Sequence, residues 1–197
     1  MKIIHISDTH GCHRRLQSLP EADIIVHSGD FTMNGSESEA LDFLEWFQTL
    51  PYLHKIFVCG NHDACLFGAN IDGIDANVHY LCNSGVEIDS QKFYGVPMFM
   101  EDCITDRQSR HYSAIPDGTD ILITHTPPFG VLDFDDGIHY GSEELLDRVR
   151  TASVRLHLFG HIHRAHGILS NGPTTFSNAA IMTSGYSDLQ SPNVLEI

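Results

Sequence analysis

The sequence has 197 residues, 42% of them apolar, and carries 26 Asp and Glu against 11 Lys and Arg, a formal net charge of −15 at pH 7. The length suits a single domain over residues 1–197 with a core of its own, and the charge excludes a general nucleic-acid binder, which needs cationic side chains to displace counterions from phosphates, as well as docking on anionic lipid. Together with 14 His, the acidic surplus offers oxygen and nitrogen donors for cations instead.

Taken along the chain, short β-rich runs end abruptly in polar residues. Lys2–Ser7 runs into Asp8-Thr9-His10, and Asp23–Ser28 into Gly29-Asp30. A helix follows: Ser36 and Glu39 form a capping box, and Ala40, Leu41, Leu44 and Phe47 keep helical spacing up to Pro51. Lys55–Cys59 then ends at Gly60-Asn61-His62-Asp63. Val86–Ile88 and Lys92–Tyr94, separated by Asp89-Ser90-Gln91, predict a hairpin. Asp120–Thr124 ends at His125-Thr126-Pro127-Pro128, and Gly130–Gly141 reads as loop. A second helix starts near Ser142, with Glu143 and Glu144 in its first turn, Arg148 and Arg150 in its last, and Leu145, Leu146 and Val149 as its apolar residues. Arg155–Phe159 ends at Gly160-His161-Ile162-His163, and Thr174–Asn178 and Val194–Ile197 read as further strands. Continuous Ile/Val/Leu character fits strands buried on both faces.

The five Cys are odd in number and form no Cys-x-x-Cys, which opposes a disulfide framework or zinc ribbon and fits reduced thiols in a cytoplasmic protein. The apolar stretch at the N-terminus is too short for a signal peptide, and no run approaches a membrane span.

Five strand ends thus deliver Asp, Asn or His, and ligands of α/β sheets sit outside the carboxyl ends of strands. Each motif alone reads as well as a turn or a polar strand exit. Only the two His of Gly160-His161-Ile162-His163 stand out, since residues i and i+2 of a strand share a face.

The ordered set is more specific. Asp8-x-His10, Gly29-Asp30, Gly60-Asn61-His62-Asp63, His125 and Gly160-His161-x-His163, with the late Ser177-Asn178-Ala179, resemble the calcineurin-like metallophosphoesterases, and within them the small metallophosphoesterase-domain proteins. The resemblance implies an α/β fold, a four-layer α/β/β/α sandwich of two mixed sheets flanked by helices. It implies two divalent transition-metal ions, Mn favoured over Fe, Zn, Co or Ni. Asp8, His10, Asp30 and His163 would hold one ion, and Asp30, Asn61, His125 and His161 the other, with Asp30 shared. An imidazole–carboxylate donor set suits these metals. The activity implied is hydrolysis of phosphoric esters by a metal-bridging hydroxide.

His62 is not a metal ligand in that family and would protonate the leaving oxygen or stabilise developing charge. Asp63 would orient His62 or cap a following turn. His13, Arg14, His166 and Asn178 lie near motifs and are expected along the substrate pocket. Met33 stands where many members of the superfamily carry a second acid, which moves the chain away from the protein-phosphatase branch.

The partner expected is a small phosphorylated substrate such as a nucleotide, with no long nucleic acid and no membrane. Competing readings are a weakly active nucleotide-binding regulator and a nuclease. The intact Gly160-His161-Ile162-His163 and His62 oppose the first, and the acidic charge opposes the second.

Overall fold

Each central strand is apolar at consecutive positions, so it has two faces to bury, and the fold covers both. The structure is a computed structural model that describes all 197 residues. Along the chain it contains β1 (Lys2–Ile6), β2 (Ile24–His27), α1 (Glu37–Thr49), β3 (His54–Phe57), β4 (Val78–Tyr80), β5 (Ser84–Ile88), β6 (Gln91–Val96), α2 (Met100–Ile104) and α3 (Arg107–Ser113). There follow β7 (Ile121–Thr124), β8 (Phe134–Asp135), β9 (Ile138–His139), α4 (Glu143–Thr151), β10 (Leu156–Phe159), β11 (Gly167–Asn171), β12 (Thr174–Asn178) and β13 (Asn193–Glu196).

Two mixed sheets result, ordered β13-β1-β2-β3-β4 and β11-β12-β10-β7-β6-β5. Strands β1 to β4 are parallel, with β13 antiparallel at the edge. In the second sheet β6, β7, β10 and β12 are parallel, and β5 and β11 close its edges antiparallel. The alternation of side chains sorts the core into three layers. Ile3, Ile24, Val26 and Ile56 meet Ile121, Ile123, Leu156 and Leu158 between the sheets. Ile4, Ile6, Ile25 and Phe57 point outward onto Phe43 and Phe47 of α1. Leu122 and Phe159 point the other way, onto Tyr112 of α3 and Leu145 and Val149 of α4. The layers therefore run α/β/β/α, as the resemblance implies.

His5 and Asn193 are polar bridges between the sheets, Asn193 of β13 donating through Nδ2 to Ser177 Oγ and Asn178 O of β12, both at 2.9 Å. His5 of β1 contacts Ser28 Oγ through Nε2 and Ser177 Oγ of β12 through Nδ1, both at 2.8 Å. Helix α1 opens with the Ser36–Glu39 capping box, which satisfies N–H groups that the first turn leaves free. Its buried face is Ala40, Phe43, Leu44, Trp46 and Phe47. Leu41, expected on that face, is instead 59% exposed, because Phe43 and Trp46 take the space against the sheet. Phe43 stacks on Phe31 with ring centroids 4.2 Å apart, which anchors the residue next to Asp30. Truncating either ring would cost about 3–5 kcal/mol.

The strands expected to end at Thr124, Phe159 and Asn178 do so, while those expected to end at Ser7, Ser28, Cys59 and Ile197 end one or two residues sooner. The hairpin turn is Asp89-Ser90 alone, both at positive φ, with Gln91 already paired to Ile88. Gly130–Gly141 is not plain loop: it holds the β8–β9 hairpin around Asp136-Gly137, both at positive φ. All five Cys are free. No helix is long and apolar enough to cross a membrane.

Candidate metal centre

The loops after β1, β2, β3, β7 and β10 converge. Asp8, His10 and His163 bring one donor atom each within 4.8 Å of one another; so do Asp30, His125 and His161; so do His10, Asp30 and His62. Asp8 Oδ1 lies 3.4 Å from His163 Nε2 and 3.9 Å from His10 Nε2. Asp30 Oδ2 lies 3.2 Å from His125 Nε2 and 4.0 Å from His10 Nε2.

The imidazoles are aimed by the backbone. Nδ1–H of His10 donates to Thr32 O, that of His125 to Ser28 O, that of His163 to Thr183 O, and that of His62 to Met33 O at 2.7 Å. In all four rings Nδ1 is therefore engaged and Nε2 is left for the centre, the arrangement that fixes the tautomer of a metal-ligating histidine.

The carboxylates are held from behind as well. Asp8 Oδ2 accepts the N–H of His161 at 2.9 Å, and Asp30 Oδ1 accepts the N–H of His62 at 2.8 Å. Gly160 and Gly60 allow this approach, because a Cβ at either would collide with the Asp8 or the Asp30 carboxylate. Asp8, His10, Asp30 and His161 all take positive φ, between 43° and 72°. Such conformations cost roughly 1–3 kcal/mol each and persist where the surroundings over-determine them, typically at functional sites.

Three buried atoms of this centre have no hydrogen-bond partner: Asp8 Oδ1, Asn61 Oδ1 and His125 Nε2. They come from three different strand ends. His125 Nε2 is close to Asp30 Oδ2 but out of line for a hydrogen bond. Buried lone pairs left unsatisfied are costly, and cations held by these residues would satisfy them. The mixed nitrogen and oxygen donors fit a transition metal, so the residues present fit the group that the motifs imply. Burial opposes ionisation of Asp8, but His125 and His163 hold its carboxyl well below the usual range. His161 is lowered to about 4 by burial and then by His125, so its imidazole is neutral near pH 7, as a ligand's must be.

Asp63 plays a part different from both expected. Its side chain neither touches the His62 ring nor caps the turn that follows. It accepts the N–H groups of Asp30, Thr32 and Gly60 at 2.8–2.9 Å and the Thr32 hydroxyl at 2.9 Å, which clamps the β2 loop to the β3 loop. Burial and then Asp30 push it up to about 7, so its ionised form depends on those donors.

A cavity of about 270 Å³ opens over the centre, with His10, Asp30, Asn61, His62, His161 and His163 in its wall. Asp135, Tyr140, Ile162, Ser184 and Tyr186 complete the wall, and of these no motif had singled out Asp135, Tyr140, Ser184 or Tyr186. A larger groove of about 500 Å³, between residues 16–22 and 50–52, holds no His or Cys.

The four residues expected along the pocket lie outside its wall. His13 is buried against Asp42 at 3.0 Å, and Arg14 pairs with Asp42 and Glu45 of α1, both at 2.8 Å. His166 bonds Ser191 O at 3.0 Å. Asn178 is buried behind the centre, where its Nδ2 donates to Ile162 O and Leu132 O. It therefore steadies the His161–His163 loop from the far side. Each of the four lies near a motif in sequence, but its side chain is held by partners outside the cavity wall.

The profile of the calcineurin-like phosphoesterase family matches residues 1–165. Metallophosphoesterase domain-containing protein 1 of Homo sapiens is 32% identical over 100% of this chain and 71% of its own length, and that of Mus musculus is the same. A UPF0046 protein of Caenorhabditis elegans is 35% identical over 94% of this chain and 71% of its own length. Among solved structures, one superposes with a TM-score of 0.68 at 15% identity, covering 91% of this chain and 90% of its own. GAP50, the anchor in the inner membrane complex of Plasmodium, superposes with a TM-score of 0.56 at 14% identity, over 100% of this chain and 77% of its own. The two solved structures carry the fold, while the profile and the curated relatives carry the family: this chain belongs to the calcineurin-like phosphoesterases.

Proposed function

We propose that the chain is a metal-dependent phosphodiesterase acting on small organic or nucleotide phosphates in the cytoplasm, with two divalent transition-metal ions, Mn favoured. The observation that carries this reading is that Asp8 Oδ1, Asn61 Oδ1 and His125 Nε2, delivered by three strand ends, are buried without a hydrogen-bond partner, with His125 Nε2 4.0 Å from Asp8 Oδ1. Asp8, His10, Asp30 and His163 would hold one ion, and Asp30, Asn61, His125 and His161 the other. Bound there, the ions would supply Lewis-acid stabilisation of the phosphoryl charge and acidify water at neutral pH.

The chain's own groups do the rest. His62 gives its Nδ1–H to Met33 O, which turns Nε2 toward the cavity. In its protonated form that ring can hand a proton to the leaving oxygen. Met33, standing where an acid occurs in other branches, thus serves through its carbonyl. No Lys or Arg lines the cavity, so nothing holds the flanks of a duplex, which carries one charge per about 1.7 Å. This favours a small ester over the nuclease reading.

The test is a panel of phosphomonoesters, phosphodiesters, nucleotides and linear duplex DNA, assayed with added Mn at physiological salt. Mn-dependent hydrolysis of bis-p-nitrophenyl phosphate or cyclic nucleotides, well above cutting of duplex, is expected. Efficient cutting of duplex with little action on small diesters would contradict it.

A further inference from the structure

The mouth of the cavity carries two tyrosines that the chemistry above leaves without a task. We propose that Tyr140 and Tyr186 form an aromatic clamp that holds a flat ring, the nucleobase of a nucleoside monophosphate ester, and so set which phosphoester is taken. The proposal rests on the phosphodiesterase reading and names the substrate class for the same site.

Both side chains line the cavity from loops far apart in sequence, and both leave nearly half their surface in water, 47% for Tyr140 and 46% for Tyr186. Tyr186 sits in a closed loop in which Thr183 N–H donates to Asp188 O and Tyr186 N–H donates back to Thr183 O. Its φ is 55°, a left-handed conformation that suits Gly or Asn and penalises a bulky ring. The cost places that ring 5.2 Å from His10 and 5.1 Å from His163, centroid to centroid. Tyr186 therefore stands directly beside the histidines where a phosphoryl group would sit.

Tyr140 is presented on a braced flap. Buried Asp133 accepts the N–H groups of Gly130 and Gly141 at 2.9 and 3.0 Å and His139 Nδ1–H at 2.8 Å, while Tyr140 N–H donates to Asp133 O. Arg164, next to His163, pairs with Asp135 at 3.1 Å and with Asp136 at the hairpin turn. A ring on a pre-organised support loses little freedom when it stacks.

Charge then limits the ligand. Arg164, beside the cavity, is already paired with two carboxylates of the flap, Arg15 reaches the Tyr186 loop only to bond Ser187 O at 3.1 Å, and Asp135 adds a carboxylate to the wall. A single phosphate can be neutralised at the centre, but further phosphates of a di- or triphosphate would meet Asp135 in a wall that holds no Lys or Arg. A cavity of about 270 Å³ lies at the small end of ligand pockets, room for one phosphate and a ring system. Stacking of a base on an aromatic side chain corresponds to a factor of about 5–150 in affinity.

The test is calorimetric titration of the Mn-loaded protein with AMP, ribose 5-phosphate and ATP, with bis-p-nitrophenyl phosphate turnover measured on the same wild-type sample. AMP should bind at least about 5-fold more tightly than ribose 5-phosphate, and ATP no more tightly than AMP. Tyr186→Ala or Tyr140→Ala should bring the AMP to ribose 5-phosphate ratio close to one, and the Phe variants should keep it. Equal wild-type affinities for AMP and ribose 5-phosphate would overturn the clamp, as would a ratio that survives both Ala changes. A tyrosine-dependent ratio in a protein that hydrolyses no diester would uphold the clamp and overturn the reaction assigned to the site.

Discussion

The buried carboxylate of Asp63 accepts the backbone N–H of Asp30 at 2.8 Å and, through the same oxygen, that of Gly60 at 2.9 Å. A residue that touches none of the imidazoles at the centre thereby fixes the carboxylate on which that centre turns. Asp63→Ala leaves the N–H groups of Asp30, Thr32 and Gly60 without their acceptor. Stability should fall by about 3 kcal/mol, and Mn affinity by about 10–100-fold, the usual effect of losing an outer-shell support. Denaturant midpoints and Mn titration measure both. Unchanged Mn affinity would show that the loop holds Asp30 without the clamp.

Asp30 itself faces both His10 and His125 through Oδ2. Asp30→Asn keeps the shape and removes the charge that two cations would share. Metal content after reconstitution should drop from two ions per chain toward none. Retention of both ions would place the shared position elsewhere.

His62 reaches the cavity from a ring anchored on Met33 O. His62→Ala should leave metal content intact while turnover falls by about 10²–10⁴. Because His62 also comes within 4.8 Å of the His10 and Asp30 donors, the alternative is open to measurement. Loss of an ion from the variant would make His62 a ligand.

His157 supplies a pH prediction away from the centre. It is fully buried on β10, where Nε2 meets Thr124 Oγ1 at 2.9 Å and Nδ1 has no partner. Burial lowers it to about 3. The native chain therefore keeps this imidazole neutral while the unfolded chain protonates below about pH 6.5. Stability contributed at this position is full above that pH and is lost as pH falls toward 3, at about 1.4 kcal/mol per pH unit. Between pH 6.5 and 4.5 the His157→Leu variant should lose about 2 kcal/mol less than wild type. Parallel pH profiles of the two proteins would contradict this.

How much was legible in the sequence depends on the kind of signal. The strands carrying Asp8, Asp30, His125 and His161 are continuous apolar runs cut off by polar residues, so both the sheet and the convergence of its ends could be read. The edge strand β11 exposes four of its five residues, and α3 buries only Gln108 and Tyr112. Neither offers a periodic stripe, and both were missed. The motifs gave which residues meet but not what braces them. That Asp63 holds Asp30, or that Tyr186 leans on His10, depends on loop paths set by positive φ, to which spacing is blind.

The most direct measurement is an anomalous-difference map from crystals grown with Mn. Two peaks about 3.5–4 Å apart are expected, with the Asp30 carboxylate between them, His10 and His163 on one side and His125 and His161 on the other. A map with no peak at Asp30, at full Mn occupancy elsewhere or nowhere, would contradict a metal-dependent phosphoesterase centre built from these residues.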